Sequence, residues 1–486
     1  MADPNCVAKS RLSFGRVLTA SPFEMNTPSM RTSVLTVAVF TTTLACGPKS
    51  PRPANLPEVR YEDDGTAPSA SVAPSLASAS VAVPPEAPAT VMPAMPVMPA
   101  LAANPPAEAA KAIGAVGEKL VKKLFTGDEN SVLSPWSIAE LLAMASVGAR
   151  GATHDEFSAF MNVNVHDDVL FPGFRDLRAK VSAGLSQATL TSTTKGPPFV
   201  LDVANSAWAD DSTALEPAFS TTIHHYFGAE VLRAPIRQHP DDARRKINAW
   251  VGDHTRQKIH NLLAEGSITN QVRAVLVNAV YFLGEWESAF AKGRTKLTPF
   301  TTSKGTKVES LAMNQMLTAP YLDDARFQMI ELGYKGSSLA MVVVLPKSDA
   351  KQMDAFGVTA IEGSIPKLNA QRVRLSLPKF SITRAMKLSD TLMQLGLSLP
   401  FTEKADFSGM TNDKSLYLSQ VVHQALVTVD ERGTEAAAAT AGTFAVKSVM
   451  TETVMNVDHP FWFLIRDRSS GAVFFAGHVV DPTKKN

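Results

Sequence analysis

The sequence predicts an α+β domain over residues 109–486, behind a leader at 1–46 and a linker at 47–108. Three features predict it. An amphipathic helical pattern opens the domain, apolar runs of strand length fill its middle, and Asp458–Pro482 reads as two apolar strands joined by a Ser-Ser-Gly turn.

Within the leader, Arg31 precedes an apolar run, Val34–Ala45, that is too short to span a bilayer. Small Ala45 stands just before Cys46, the layout of an export signal with its cut at a small residue. A cysteine directly after the cut is similar to a bacterial lipoprotein signal, although Thr43 stands where an aliphatic residue is usual. The expectation is an exported protein, lipid-anchored to the cell envelope through Cys46 or secreted, with translation starting at Met25 or Met30. Residues 47–108 are crowded with Pro, Ala, Ser and Val and hold one aromatic, Tyr61. Such a composition cannot bury enough apolar surface to offset its ordering entropy, so an extended linker is expected.

The net charge is +1, which gives no electrostatic bias toward nucleic acid. Arg244, Arg245 and Lys246 form the tight basic triplet of the globular part and read as a solvated helix face, with no polyanion cofactor implied. The two cysteines, Cys6 and Cys46, both lie outside the domain, so neither a structural disulfide nor a metal site is expected in it.

Along the domain, Lys111–Phe125 sets Ile113, Val116, Leu120 and Leu124 on one helical face. Asn130–Ile138 is a polar turn leading into Ser134-Pro135, with the proline suited to a helix's first turn. Phe199–Trp208 alternates as a half-buried strand, and Ile247–Leu263 reads as a helix with a polar break. Ala274–Trp286 is a buried strand containing one amide, Asn278, which must find hydrogen-bond partners there. Ala340–Pro346, Val373–Phe380 and Leu416–Val422 are further strands, with His423 lying between the last of these and the segment that follows. A lone histidine in such a place is ordinarily a satisfied core residue.

Val429–Ser448 (VDERGTEAAAATAGTFAVKS) reads as helix by alanine propensity alone. It has no amphipathic stripe to pack it onto a core, and no proline occurs between Pro400 and Pro460. On strand alternation one face is Thr434, Ala436, Ala438, Thr440, Gly442 and Phe444, small almost throughout, with Glu435 on the other. The segment reads as a mobile loop able to enter a sheet as a strand.

Glu431, Gly433, Thr434, Glu435, Ala436, Ala437, Ala438, Ala439 and Thr440 resemble the hinge of a serpin reactive-centre loop. Ser134-Pro135-x-Ser137 and Val277-Asn278-Ala279 through Trp286 match two further serpin motifs, and the resemblance continues unbroken from about residue 110 to the end. It implies a serpin fold, with three β-sheets, about eight or nine helices and an exposed reactive-centre loop. Family spacing counted from Gly433 places the scissile bond at Lys447–Ser448, a basic residue suited to trypsin-like proteases. It also implies that Ser134, Ser137, Asn278 and His423 form a polar shutter beneath the central sheet, and that Trp286 stands at the breach where the loop first enters.

The chain offers no enzyme site: it lacks a Gly-x-Ser-x-Gly elbow, a phosphate-binding glycine loop and His-Glu-x-x-His. The expected function is therefore a monomeric suicide-substrate inhibitor of serine proteases, without cofactor or metal. The alternative is a non-inhibitory serpin acting as a carrier or chaperone-like binding protein; its hinge would be expected to carry proline, charge or bulk.

Overall fold

The computed structural model describes residues 105–165, 168–191, 199–347, 357–434 and 453–484. The leader, Cys46 and nearly all of the linker lie outside them.

Helix α1 (Pro105–Leu124) begins inside the stretch assigned to the linker, with two prolines in its first turn, where no backbone N–H is required. Strand β1 (Ser131–Leu133) takes the place of the expected polar turn and leads into α2 (Pro135–Gly148), α3 (Gly151–Met161) and α4 (Leu170–Thr191). Next come β2 (Phe199–Asp210), α5 (Pro217–Phe227), β3 (Glu230–Ala234), α6 (Pro240–His254) and β4 (Ala274–Glu285). Helix α6 stops short of the expected Leu263: past His254, three non-glycine residues, Arg256, Gln257 and Asn261, adopt positive φ of 51°, 57° and 54° and break the helical path. Its basic triplet is neutralised locally. Arg244 is 2.7 Å from Asp241, Arg245 pairs with Asp241 and Asp242, and Lys246 Nζ donates to the Arg233 carbonyl at 2.7 Å.

Strands β5 (Lys296–Thr301), β6 (Lys307–Asp323), β7 (Phe327–Gly333), β8 (Leu339–Pro346), β9 (Asn369–Pro378) and β10 (Phe380–Lys387) follow, with the short helix α7 (Val358–Glu362) between β8 and β9. After α8 (Ser389–Gln394), β11 (Leu418–Val429) runs through His423 instead of ending before it. It is held on both sides, antiparallel to β10 and parallel to β4. The two-residue β12 (Gly433–Thr434), β13 (Thr453–Asn456), β14 (Phe461–Asp467) and β15 (Val473–Val479) complete the chain. The last two are the hairpin expected from Asp458–Pro482.

Hydrogen bonding gathers the strands into two sheets. One runs β1-β15-β14-β8-β7-β6-β9-β13, with β5 also on β6; the other runs β10-β11-β4-β2-β3, with β12 on β4. Two of the three expected sheets are continuous because β6 is long enough to pair with β5 and β9 along its length and with β7 at its end. There are eight α-helices among the described residues.

Strand β4 is buried on both faces, which explains its apolar run on either side of Asn278. Leu276, Val280 and Phe282 join the main core with α1 and α2. Val275, Val277 and Ala279 join a second core under α6, with Ile247 and Val251.

Candidate functional site: shutter and breach

Ser134 ends β1's run and caps α2: its hydroxyl accepts from the Ser137 N–H at 3.2 Å, leaving Pro135 in the first turn. The cap sets both serines against the middle of the six-stranded sheet, where His423 on β11 and Asn278 on β4 are register partners. Ser134 N–H donates to His423 Nε2 at 3.2 Å, and Ser137 Oγ donates to Asn278 Oδ1 at 3.0 Å. Since Nε2 accepts, His423 is the neutral tautomer with its proton on Nδ1, which donates to Asn278 Oδ1. Burial pushes the His423 pKa down to about 3, so the imidazole stays neutral at physiological pH. Ser134, Ser137, Asn278 and His423 are all fully buried. The Ser134 hydroxyl makes the cap and the Ser137 hydroxyl reaches the sheet, while Ser134 meets His423 through its backbone N–H.

The network continues beyond the four expected residues. Asn278 Nδ2 donates to Asn205 Oδ1 on β2, and Asn205 Nδ2 donates to Glu140 Oε2 on α2 at 2.7 Å. The other oxygen of Glu140 is bound by Arg178 of α4. Burial raises the Glu140 pKa to about 7, against the pull of Arg178 and Asn205. Glu140 is the charged residue of an otherwise uncharged helix, PWSIAELLAMASVG, whereas Asn205 sits in a strand that also holds Asp202, Ser206 and Asp210. The argument applied to Asn278 would have found Glu140; Asn205, among other polar residues, and Arg178, on a polar helix face, gave no signal.

Just past the end of β4 lies Trp286, the residue expected at the breach. Trp286 is stacked on Tyr334, with ring centroids 4.8 Å apart. Its indole N–H donates to the Asp430 carbonyl at 3.0 Å and its backbone N–H to the Arg432 carbonyl at 2.7 Å. Between those two carbonyls, Glu431 turns inward: Lys379 Nζ lies 2.8 Å from Oε2, and Thr295 Oγ1 donates to Oε1 at 2.8 Å. Burial raises the Glu431 pKa, but the bonds from Lys379 and Thr295 outweigh it and the carboxylate is held below its usual range. Lys379 and Thr295 are distant in sequence from Glu431 and gave no local pattern to read.

The hinge then meets β4. Gly433 pairs with Glu285 and Thr434 with Gly284, antiparallel. Gly433 has φ of +139°, and a Cβ there would stand 1.9 Å from the Gly284 carbonyl oxygen, so only glycine fits. The Thr434 backbone is described; Glu435, Ala436–Ala439, Thr440, Lys447 and Ser448 lie outside the described residues. Among the described residues, no group of His, Cys, Asp and Glu side chains is placed to hold a metal ion.

Residues 111–482 match the serpin (serine protease inhibitor) family. The chain is 35% identical over 369 residues to the leukocyte elastase inhibitor of Bos taurus, covering 73% of this chain and 93% of that protein. Among solved structures, native protease nexin-1 with heparin aligns with a TM-score of 0.68 at 27% identity, over 78% of this chain and 100% of that one. Thyroxine-binding globulin in complex with thyroxine aligns with a TM-score of 0.64 at 26% identity, over 78% of this chain and 99% of that one. With the family matched over most of its length and the shutter and breach residues gathered around one sheet, the chain belongs to the serpin family.

Proposed function

We propose that this protein is a suicide-substrate inhibitor of serine proteases, directed at trypsin-like enzymes through Lys447. The protease serine attacks the Lys447 carbonyl carbon; the Lys447–Ser448 bond breaks, the new amine leaves on Ser448, and Lys447 remains as an acyl-enzyme. The freed loop then enters between β4 and β11 as a new strand and carries the acylated protease with it.

The observation that carries this reading is the register of the hinge. Gly433–Glu285 and Thr434–Gly284 are the first two pairs of an antiparallel ladder on β4, at the mouth of the β4–β11 seam. Continuing that register sets Ala436 opposite Phe282, Ala438 opposite Val280 and Thr440 opposite Asn278. The small face of the loop thereby meets the core-facing side of β4. Entry replaces one ladder, β4 on β11, by two. Each ladder bond contributes about 0.5–1.5 kcal/mol net. A strand of about a dozen residues therefore gains on the order of a whole domain's stability, about 5–15 kcal/mol. The intact form stores that difference.

A carrier role is the second reading, favoured by the likeness to thyroxine-binding globulin. The unobstructed hinge sequence speaks for the inhibitor. In keeping with the leader, the protein is read as an exported, bacterial-type member, tethered at Cys46 or released.

Limited digestion with trypsin tests the function. Mass spectrometry of the released fragment is expected to place the cut after Lys447, the nicked protein to melt well above the intact one, and a detergent-stable adduct to form. Equal melting of both forms without an adduct would mean an inert loop, and so the carrier reading.

A further inference from the structure

The chain as a whole is near neutral, yet its charge is unevenly spread. Residues 292–309 (KGRTKLTPFTTSKGTKVE) hold five cations, Lys292, Arg294, Lys296, Lys304 and Lys307, against one acid, Glu309. All five cations are exposed, and among the described residues none of their side chains has a carboxylate or hydrogen-bond partner. The stretch forms the 3-10 turn Lys292–Arg294, β5 and the start of β6, a ribbon whose outer strand, β5, bonds to β6. Among the described residues three large apolar side chains are exposed: Leu297 at 65%, Leu311 at 48% and Val454 at 40%. Leu297 and Leu311 are register partners on this ribbon, so their Cβ atoms stand on one face, about 5 Å apart. Pro299 and Glu309 make the next pair on that face. Cations stand at both ends, Lys292, Arg294 and Lys296 before Leu297, and Lys304 and Lys307 at the far turn. Lysine and proline on an edge strand guard it against pairing with another strand, which accounts for Lys296 and Pro299. A guarded edge has no use for two leucines in water.

We propose that this ribbon is a docking surface for an anionic lipid bilayer, with Leu297 and Leu311 entering the acyl boundary and the five cations lying at the headgroup phosphates. Apolar side chains set among Lys and Arg are what an anionic membrane surface holds, through buried apolar area and charge together. The cations fix the sign of the partner, and the leucine pair fixes its kind. A soluble polyanion would engage the cations and leave the leucines in water. A stable protein–protein contact buries about 800 Å² on each side with matched shapes, more than one leucine pair and its neighbours supply. A bilayer requires no matching shape. Thr295, whose hydroxyl holds Glu431, directly precedes β5, so docking sets the root of the loop next to the lipid. The surface goes beyond the inhibitory reading and rests neither on it nor on a tether at Cys46.

Co-sedimentation of the full chain with vesicles tests the docking, in a Cys46→Ser background so that no acyl chain contributes. Vesicles of phosphatidylcholine with one third phosphatidylglycerol are compared with phosphatidylcholine alone. Binding to the anionic vesicles is expected to be at least tenfold tighter. Leu297→Ser with Leu311→Ser is expected to weaken it at least fivefold, and Lys296→Glu with Lys307→Glu at least tenfold. All four positions are exposed, so both double variants should keep the wild-type melting temperature. Equal affinity for the two vesicle types, or no sedimentation with either, would overturn the proposal. So would two double variants that bind as wild type does. If only the lysine variant weakens, and soluble polyphosphate binds as tightly as the vesicles, the surface reads phosphate and not lipid, which overturns it as well.

Discussion

Lys379, the single residue between β9 and β10, places its ammonium 2.8 Å from the carboxylate of Glu431 and so ties the root of the loop to a neighbouring strand junction. Glu431 is also held by Thr295 and by the N–H of Phe290, which donates to its carbonyl at 2.7 Å. Glu431 is therefore held by three separate bonds from three different residues.

Lys379→Met should loosen that root. Removing a charged hydrogen-bond donor from a mostly buried carboxylate costs about 1–3 kcal/mol. Intact protein should melt lower and convert faster, on mild warming, to a loop-inserted or polymeric form, as read by native gels. Lys379→Arg should behave nearly as wild type.

Thr434→Arg should turn the trap into a substrate. Thr434 already pairs with Gly284 on β4, so a charge there must enter the sheet before any later residue can. Cleavage after Lys447 should proceed at an unchanged rate, with protease released active and the adduct missing from detergent gels. An adduct as abundant as wild type's would refute insertion from this end.

Thr440→Val separates the two states of the sheet. In the continued register Thr440 faces Asn278, between that residue and His423, so its hydroxyl would be needed only after insertion. The nicked form should lose about 1–3 kcal/mol and melt lower than nicked wild type, with the intact form unaffected. Equal losses in both forms would show that the register does not continue.

Acid should weaken the intact protein through His423. Its folded pKa of about 3 lies below the unfolded value of about 6.5, so its contribution is whole above pH 6.5 and is lost as pH falls toward 3. Protonation would put a second proton on Nε2, facing the Ser134 N–H. Glu140 works in the opposite sense: with its pKa raised to about 7, its contribution is whole below about pH 4.5 and is lost as pH rises through 7. His478, lowered by burial to about 4, adds to the acid limb. His423→Gln should flatten the fall in melting temperature between pH 6.5 and 4 without removing it. Glu140→Gln should instead flatten the fall above pH 5.

Much of this was legible from residue type alone. Asn278 announced itself as an amide in an apolar strand. Ser134-Pro135 gave the helix start. What escaped were pairings made by topology. Nothing near Glu431 points to Lys379 or Thr295, because the ion pair exists only once β9, β10 and the hinge converge. The merging of two sheets through β6 was hidden for the same reason: strand length is local, but which partners share it is not. Helix α6 was overextended because the apolar residues Ile259, Leu262 and Leu263 keep a helical spacing while packing into the second core from non-helical backbone.

The final strands, β14 and β15, do not close an edge; they lie between β1 and β8, inside the nine-stranded sheet. Strand β1 can therefore join that sheet only once the hairpin has been made. During synthesis the first helices and strands wait with an apolar trench open to solvent, a period in which chaperones or premature self-association compete for it. Loss of the terminal hairpin would strand β1 and bare the edge of β8.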